Sequence, residues 1–384
     1  MSFAIAADAA IFVKNKYMEI IKPTSELLFT YELGGLALRP QGAASVVVDV
    51  RDVAGGTRIL SITYSTAEVY DVLRIYNIAD EVETYMRDAG KCFIELEVSA
   101  ESDRGYCDSV IIGALYCERP IIPAISAQAF ADGRFLTPRG CKRVPMQSAH
   151  TLHYKPQSAT ESRDCVLRVH FVDGDGDAQL TTIARRAYDS RGVRAIAVVI
   201  PDLAAEVAEN TEAGLSAILS VGVCAGAREY TYYIDECLPT LCLCYINHFG
   251  AEEIVGFAGK TTEKLQTELD TVVVAGRLLT CNRSVTREYD TEVEALLPNE
   301  AREVADMCAS PRIVRLNSFL DMEDGSMDDF PAIIVTEYEA DVTAADDALS
   351  SVKITWQYDR ERAAEVDYSG GYHRFADEYN SNYD

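Results

Sequence analysis

The stretch "FVDGDGDAQL", residues 171–180, combines residue types and spacing that could do chemistry: Asp173, Asp175 and Asp177 alternate with glycines. Several calcium loops open this way, because a hard cation collects oxygen ligands from one short segment. An EF-hand also requires Gly at its sixth position and a bidentate Glu at its twelfth. Counted from Asp173, those places hold Ala178 and Ala184. A second acid-rich segment, "MEDGSMDDF" at 322–330, reads as a solvated loop. The expectation is a turn in both places, with no metal and no cofactor.

Other chemistry is thinly represented. His150 and His153 lie close together, but only Cys141 stands near them, short of a zinc ligand set. The 11 cysteines form no CxxC pair and several sit in apolar runs such as "CFIELEV" and "LCLCYI", which fits small buried side chains. There is no GxSxG elbow, P-loop or HExxH. His248, in "INHFGAEE", reads as structural. Among 61 acidic residues no pair stands out as the carboxylates of a glycosidase. No catalytic residue is assigned, and the chain is expected not to be an enzyme.

The elements around these residues are mostly strands. Alternation places Val46, Val48 and Val50 on one face of "SVVVDV". It groups Leu215, Ala217, Leu219, Val221 and Val223 in "LSAILSVGV", and Val352, Ile354, Trp356 and Tyr358 in "VKITWQY". Two helices are expected. One spans Ile78 to Met86; the other is "NEAREVADMCASP", capped by Asn299, with Ala301, Val304, Ala305 and Cys308 as its stripe.

An internal repeat runs through the strands. "VDVRDVAGGTRILSI" from Val48 aligns with "VHFVDGDGDAQLTTI" from Val169, setting Asp52 on Asp173, Gly55 on Gly176 and Ile62 on Ile183. "LRIYNIADEV" then aligns with "VVIPDLAAEV", and "CFIELEV" with "LSAILSV". Three blocks in one order over about 60 residues predict a duplicated unit. The fold class expected is mainly β: tandem related β-sandwich domains plus a smaller C-terminal α+β region. The expected divisions are 1–155, 156–275 and 276–368, followed by a flexible Tyr-rich acidic tail at 369–384. Asp52, Gly55, Asp173 and Gly176 become turn-formers.

A formal net charge of −26 opposes duplex DNA or RNA, so no nucleic-acid partner is expected. No apolar run approaches the roughly 20 residues that span a bilayer, and membrane insertion is not expected. The amino terminus lacks a basic start and a long apolar segment, which predicts a protein that stays where it is made or leaves by lysis or assembly.

The segments "CLCYINHFGAEEIVGFAGKTT", "EVADMCASPRIVRL", "FPAIIVTEYEADV" and "LSSVKITWQY" together resemble a group of β-rich virion proteins of tailed bacteriophages and prophages of gut bacteria. The resemblance covers about 165 to 360 and implies a structural subunit of the tail or baseplate, made in the host cytoplasm and incorporated into the virion. It implies partners that are copies of itself and other virion proteins, and it supplies no active-site residues. Asn247, Phe249 and Gly250 would build a turn, Gly250 by permitting a positive φ. The first domain departs from the pattern, having "SAQAFADG" where the second has "YINHFGAE".

Two further interaction readings follow from aromatic residues. Tyr372, Phe375, Tyr379 and Tyr383 in the tail are candidate contacts of an arm that orders on a neighbouring subunit. "YTYYIDE" (Tyr230, Tyr232, Tyr233) is the aromatic strand on which a surface glycan would stack, so a carbohydrate-binding module is the alternative function.

Overall fold

The computed structural model describes residues 18–359 apart from 23–24, 41–42, 66–71, 122–123, 237–238, 275–276, 324 and 343–348. The tail contacts Tyr372, Phe375, Tyr379 and Tyr383 lie outside the described residues. The chain is mainly β, with sheets of five, five and seven strands and two sheets of three.

The first unit contains β1 (Glu19–Ile21), β2 (Leu27–Phe29), β3 (Ala37–Arg39), β4 (Ser45–Asp52), β5 (Arg58–Ser65), β6 (Leu73–Arg74), α1 (Ile78–Asp88), β7 (Phe93–Ser102) and β8 (Cys107–Leu115). One sheet runs β2-β8-β7-β4-β5, with β2 parallel to β8 and the other pairs antiparallel. The second layer joins the small sheet β1-β3-β6 to helix α1. Alternation decides which face is covered: Val46, Val48 and Val50 point into the core, against Ile78, Val82 and Met86 of α1. Burying each such side chain contributes about 1.5–3 kcal/mol.

The second unit follows helix α2 (Ala127–Gly133) and contains β9 (Cys141–Pro145), β10 (Ala149–Tyr154), β11 (Asp164–Asp173), β12 (Ala178–Arg186), β13 (Tyr188–Ser190), β14 (Val193–Val199), α3 (Ile200–Asn210), β15 (Leu215–Ala225) and β16 (Arg228–Asp235). Its large sheet runs β9-β16-β15-β11-β12, again with a parallel edge strand, β9 on β16. The strand order matches the first unit position by position, and α3 follows β14 as α1 follows β6.

Register corrects two readings. A bulge opposite His170 and Phe171 skips Leu219, so Ile218 enters the core and Leu219 is left exposed. Chaining the pairs Val48–Ala100 and Val169–Val221 also places Ala100, not Val98, at the position of Val221.

The third unit contains β17 (Leu241–Ile246), β18 (Glu252–Phe257), β19 (Lys260–Val274), β20 (Arg277–Leu296), α4 (Pro298–Cys308), β21 (Ile313–Leu316), β22 (Ala332–Asp341) and β23 (Ser350–Tyr358). They form one antiparallel sheet, β18-β17-β21-β22-β23-β20-β19. The run "LCLCYI" is apolar throughout because both its faces are covered. Leu241, Leu243 and Tyr245 meet α4 and Trp356, while Cys242 and Cys244 meet Phe319 and Met327.

Helix α4 begins two residues earlier than expected, with Leu297 rather than Asn299 at the cap and Pro298 in the first turn. The Leu297 amide donates to Glu300, which secures the first turn. The sheets also divide the chain elsewhere than expected. β9 and β10 pair with second-unit strands, so that unit begins before residue 155. β17 to β19 belong to the seven-stranded sheet, and a division at 275 falls inside the β19–β20 hairpin. Among the described residues no helix is long and apolar enough to cross a membrane.

Candidate functional site

The aspartate turns come first. Asp173 ends β11 on its core-facing side, and its carboxylate accepts from the Asp175 and Asp177 amides and from the Gln179 side chain, at 3.1, 2.9 and 3.0 Å. Those bonds, the Asp177 amide foremost, hold its pKa below the usual carboxylate value. Asp175 and Asp177 are exposed. Asp52 occupies the matching place and is fully buried, accepting from Ala54 N, Tyr85 OH and Lys91 Nζ at 3.1, 2.8 and 2.6 Å. Burial opposes its ionisation, but Lys91 and Tyr85 together bring its pKa below the ordinary value.

Both carboxylates staple turns. Among the described residues no three His, Cys, Asp or Glu gather as a metal ligand set. The alignment of Gly55 with Gly176 shifts by one: the positive φ of Gly176 (+92°) is matched by Gly56 (+63°). The first loop is one residue longer, Asp52 N bonding Thr57 O where Asp173 N bonds Asp177 O.

The turn after β17 has a larger role than its sequence indicated. Asn247 Oδ1 accepts from the Phe249 and Ala251 amides, and its Nδ2 donates to Leu136 O and Glu253. Phe249 stacks on Phe130 of α2 at 4.7 Å. Gly250 has φ +76°, and a Cβ added there would lie 3.2 Å from Tyr116 of the first unit. One turn of the third unit therefore touches both other units.

Beside it lies a buried polar cluster that sequence reading missed. Lys142 of β9 donates to Ile254 O and Glu303 at 2.5 Å each and lies 3.5 Å from Glu253. Arg139 reaches Glu303 at 3.0 Å, and Thr137 donates to Glu253. Burial would depress the Lys142 pKa, but Glu303 and Glu253 outweigh it and raise the value. No local motif reveals this cluster, since its members come from β9, β18 and α4. The available clues were a lysine and a glutamate within alternating or apolar-striped segments.

A cavity of about 90 Å³ adjoins the cluster, lined by His150, His153, Tyr230, Tyr232, Asn247 and Glu253 among others. His150 and His153, expected to fall short of a zinc set, are buried on β10. Among the described residues, Nε2 of His150 and Nδ1 of His153 have no hydrogen-bond partner. Burial first, then Lys142 beside His150 and Arg191 beside His153, pushes both pKa values down to about 3. Both rings are neutral at pH 7. Cys244, also at the cavity, is held as a thiol, burial raising its pKa well above the ordinary value. These neutral and paired groups lock two units together; they provide no activated nucleophile.

The aromatic strand is likewise mostly structural. Tyr230 and Tyr232 are buried, Tyr232 stacking on His150 at 4.8 Å, and only Tyr233 of the three is exposed.

The β19–β20 ribbon continues past its own sheet. β20 pairs with β23 only from Tyr289 to Leu296, whereas β19 and β20 pair with each other from Lys260–Glu292 to Val274–Arg277. From Lys264 to Val274, therefore, the ribbon runs past the sheet as two strands alone. At a rise of about 3.4 Å per residue that is about 35 Å. Its signal in the sequence was "VVVAGRLLT", an Ala-Gly pair between two β-branched or apolar runs. No protein-family model matches this chain, and no curated protein matches it.

Proposed function

We propose that this chain is a non-enzymatic structural subunit of a phage or phage-like particle, of the tail or baseplate, and acts through assembly with its own copies and with other virion proteins. The observation that carries the reading is the β19–β20 ribbon. A two-stranded ribbon gains little stability by itself in water, and an open strand edge is a template for another chain. A ribbon that leaves its own sheet for about 35 Å thus serves contact with a neighbour. The buried ion cluster and the shared turn fit the same reading, because they hold three units as a rigid base for such an arm. The net charge of −26 keeps free subunits apart until specific contacts form.

Negative-stain microscopy with light scattering on the purified full-length protein tests this. Rings, tubes or defined oligomers are expected. A strict monomer at high concentration would overturn the assignment.

A further inference from the structure

We infer that the outer edge of β19 is a self-recognition edge, on which a second copy of this chain adds its own β19 antiparallel about a two-fold axis through Thr267. The inference rests on the assembly reading above and names the partner of the ribbon.

The first support is geometric. β19 ends the seven-stranded sheet, so its outer edge has no strand partner among the described residues along Lys260–Val274. Lys260 to Leu265 are all exposed, and Leu265 is 63% exposed, an apolar side chain in the middle of an open edge. Such an edge is normally shortened, bulged or covered unless it has a partner.

The second support is the order of residues. With Thr267 on the axis, Gln266 stands opposite Glu268, Leu265 opposite Leu269, and Lys264 opposite Asp270. Two-fold symmetry repeats each pairing, so the Lys264–Asp270 pairing and the Leu265–Leu269 pairing each occur twice. A two-residue shift one way, which keeps every side chain on its own face, sets Glu268 against its own counterpart. In the single chain Lys264 already reaches Asp290 at 2.5 Å, so it would bridge a carboxylate of each copy.

Charge distribution supports contact through the ribbon rather than through the bodies. Residues 264–288, the span paired beyond the sheet, carry four basic residues (Lys264, Arg277, Arg283, Arg287) and three acidic ones (Glu268, Asp270, Glu288), within a chain of net charge −26. The ribbon thus meets a second acidic copy with less repulsion than the chain's overall charge would give.

A cysteine on the axis provides the test. In full-length protein, Thr267→Cys faces its own counterpart at antiparallel Cα spacing of about 4.5–5.5 Å, within disulfide range. Mild oxidation should give a covalent dimer whose peptide map contains the 267–267 link, above the background of the native cysteines. Leu265→Cys, four positions from its counterpart, should give none. Asp270→Lys should raise the concentration at half-association on the order of tenfold. Equal linking by both cysteine variants, or no 267–267 link, overturns the inference. If oligomers persist by scattering without that link, the inference falls and the assembly reading stands; if the protein is monomeric throughout, both fall.

Discussion

Lys142 and Glu303, 161 residues apart in the chain, meet at 2.5 Å in a buried ion pair that fastens β9 to α4. A buried ion pair is weak evidence of net stabilisation, yet removing one partner strands the other charge away from water. Lys142→Ala leaves both Glu303 and Glu253 without it, and is expected to cost about 3–5 kcal/mol. Urea denaturation checks this; a loss under 1 kcal/mol, on the scale of an exposed pair, would show that the cluster is solvated.

The cavity histidines predict acid lability. Their folded pKa values, about 3, lie below the ordinary 6.5, so the unfolded chain binds more protons between those values. Their contribution is complete above pH 6.5 and is lost as pH falls toward 3. Each histidine adds a slope of at most about 1.4 kcal/mol per pH unit. Denaturant titrations from pH 7 to 4 should show it, and His150→Phe, which keeps a ring against Tyr232, should flatten it. An unchanged slope in that variant would refute the burial of a neutral His150.

The aspartate turns predict indifference to calcium. Asp173 spends its oxygens on turn donors, so millimolar calcium should leave Tm unchanged. Asp52→Asn should lower Tm more than Asp173→Asn, because only Asp52 has a buried contact to a lysine. A calcium-dependent rise in Tm that Asp173→Asn abolishes would restore the metal reading.

The shared turn predicts a backbone effect. Gly250→Ala forces a side chain into φ +76° and within 3.2 Å of Tyr116, for an expected loss of at least about 1–2 kcal/mol. Gly34→Ala, which meets nothing within 4 Å and has no positive φ, serves as the control. Equal stability of the two variants would mean that the turn does not bear on its neighbours.

Sequence alone determined the strand-rich class, because period-two alternation records which face of a strand is dry. It determined α1, whose Ile78, Val82 and Met86 repeat at helical spacing, and it located the Asp52 and Asp173 turns. These are local patterns, written in neighbouring residues. Tertiary structure decided the rest. The bulge that exposes Leu219 depends on the strand across from it, and the place of β17 to β19 depends on pairing with β20 to β23. Lys142, Glu253 and Glu303 became one cluster only when three elements met, and burial alone turned His150 and His153 from a weak metal motif into neutral cavity walls. Hydrophobic alternation specifies a face but not the partner that covers it; distant pairing chooses the partner, and with it the charge state of whatever is enclosed.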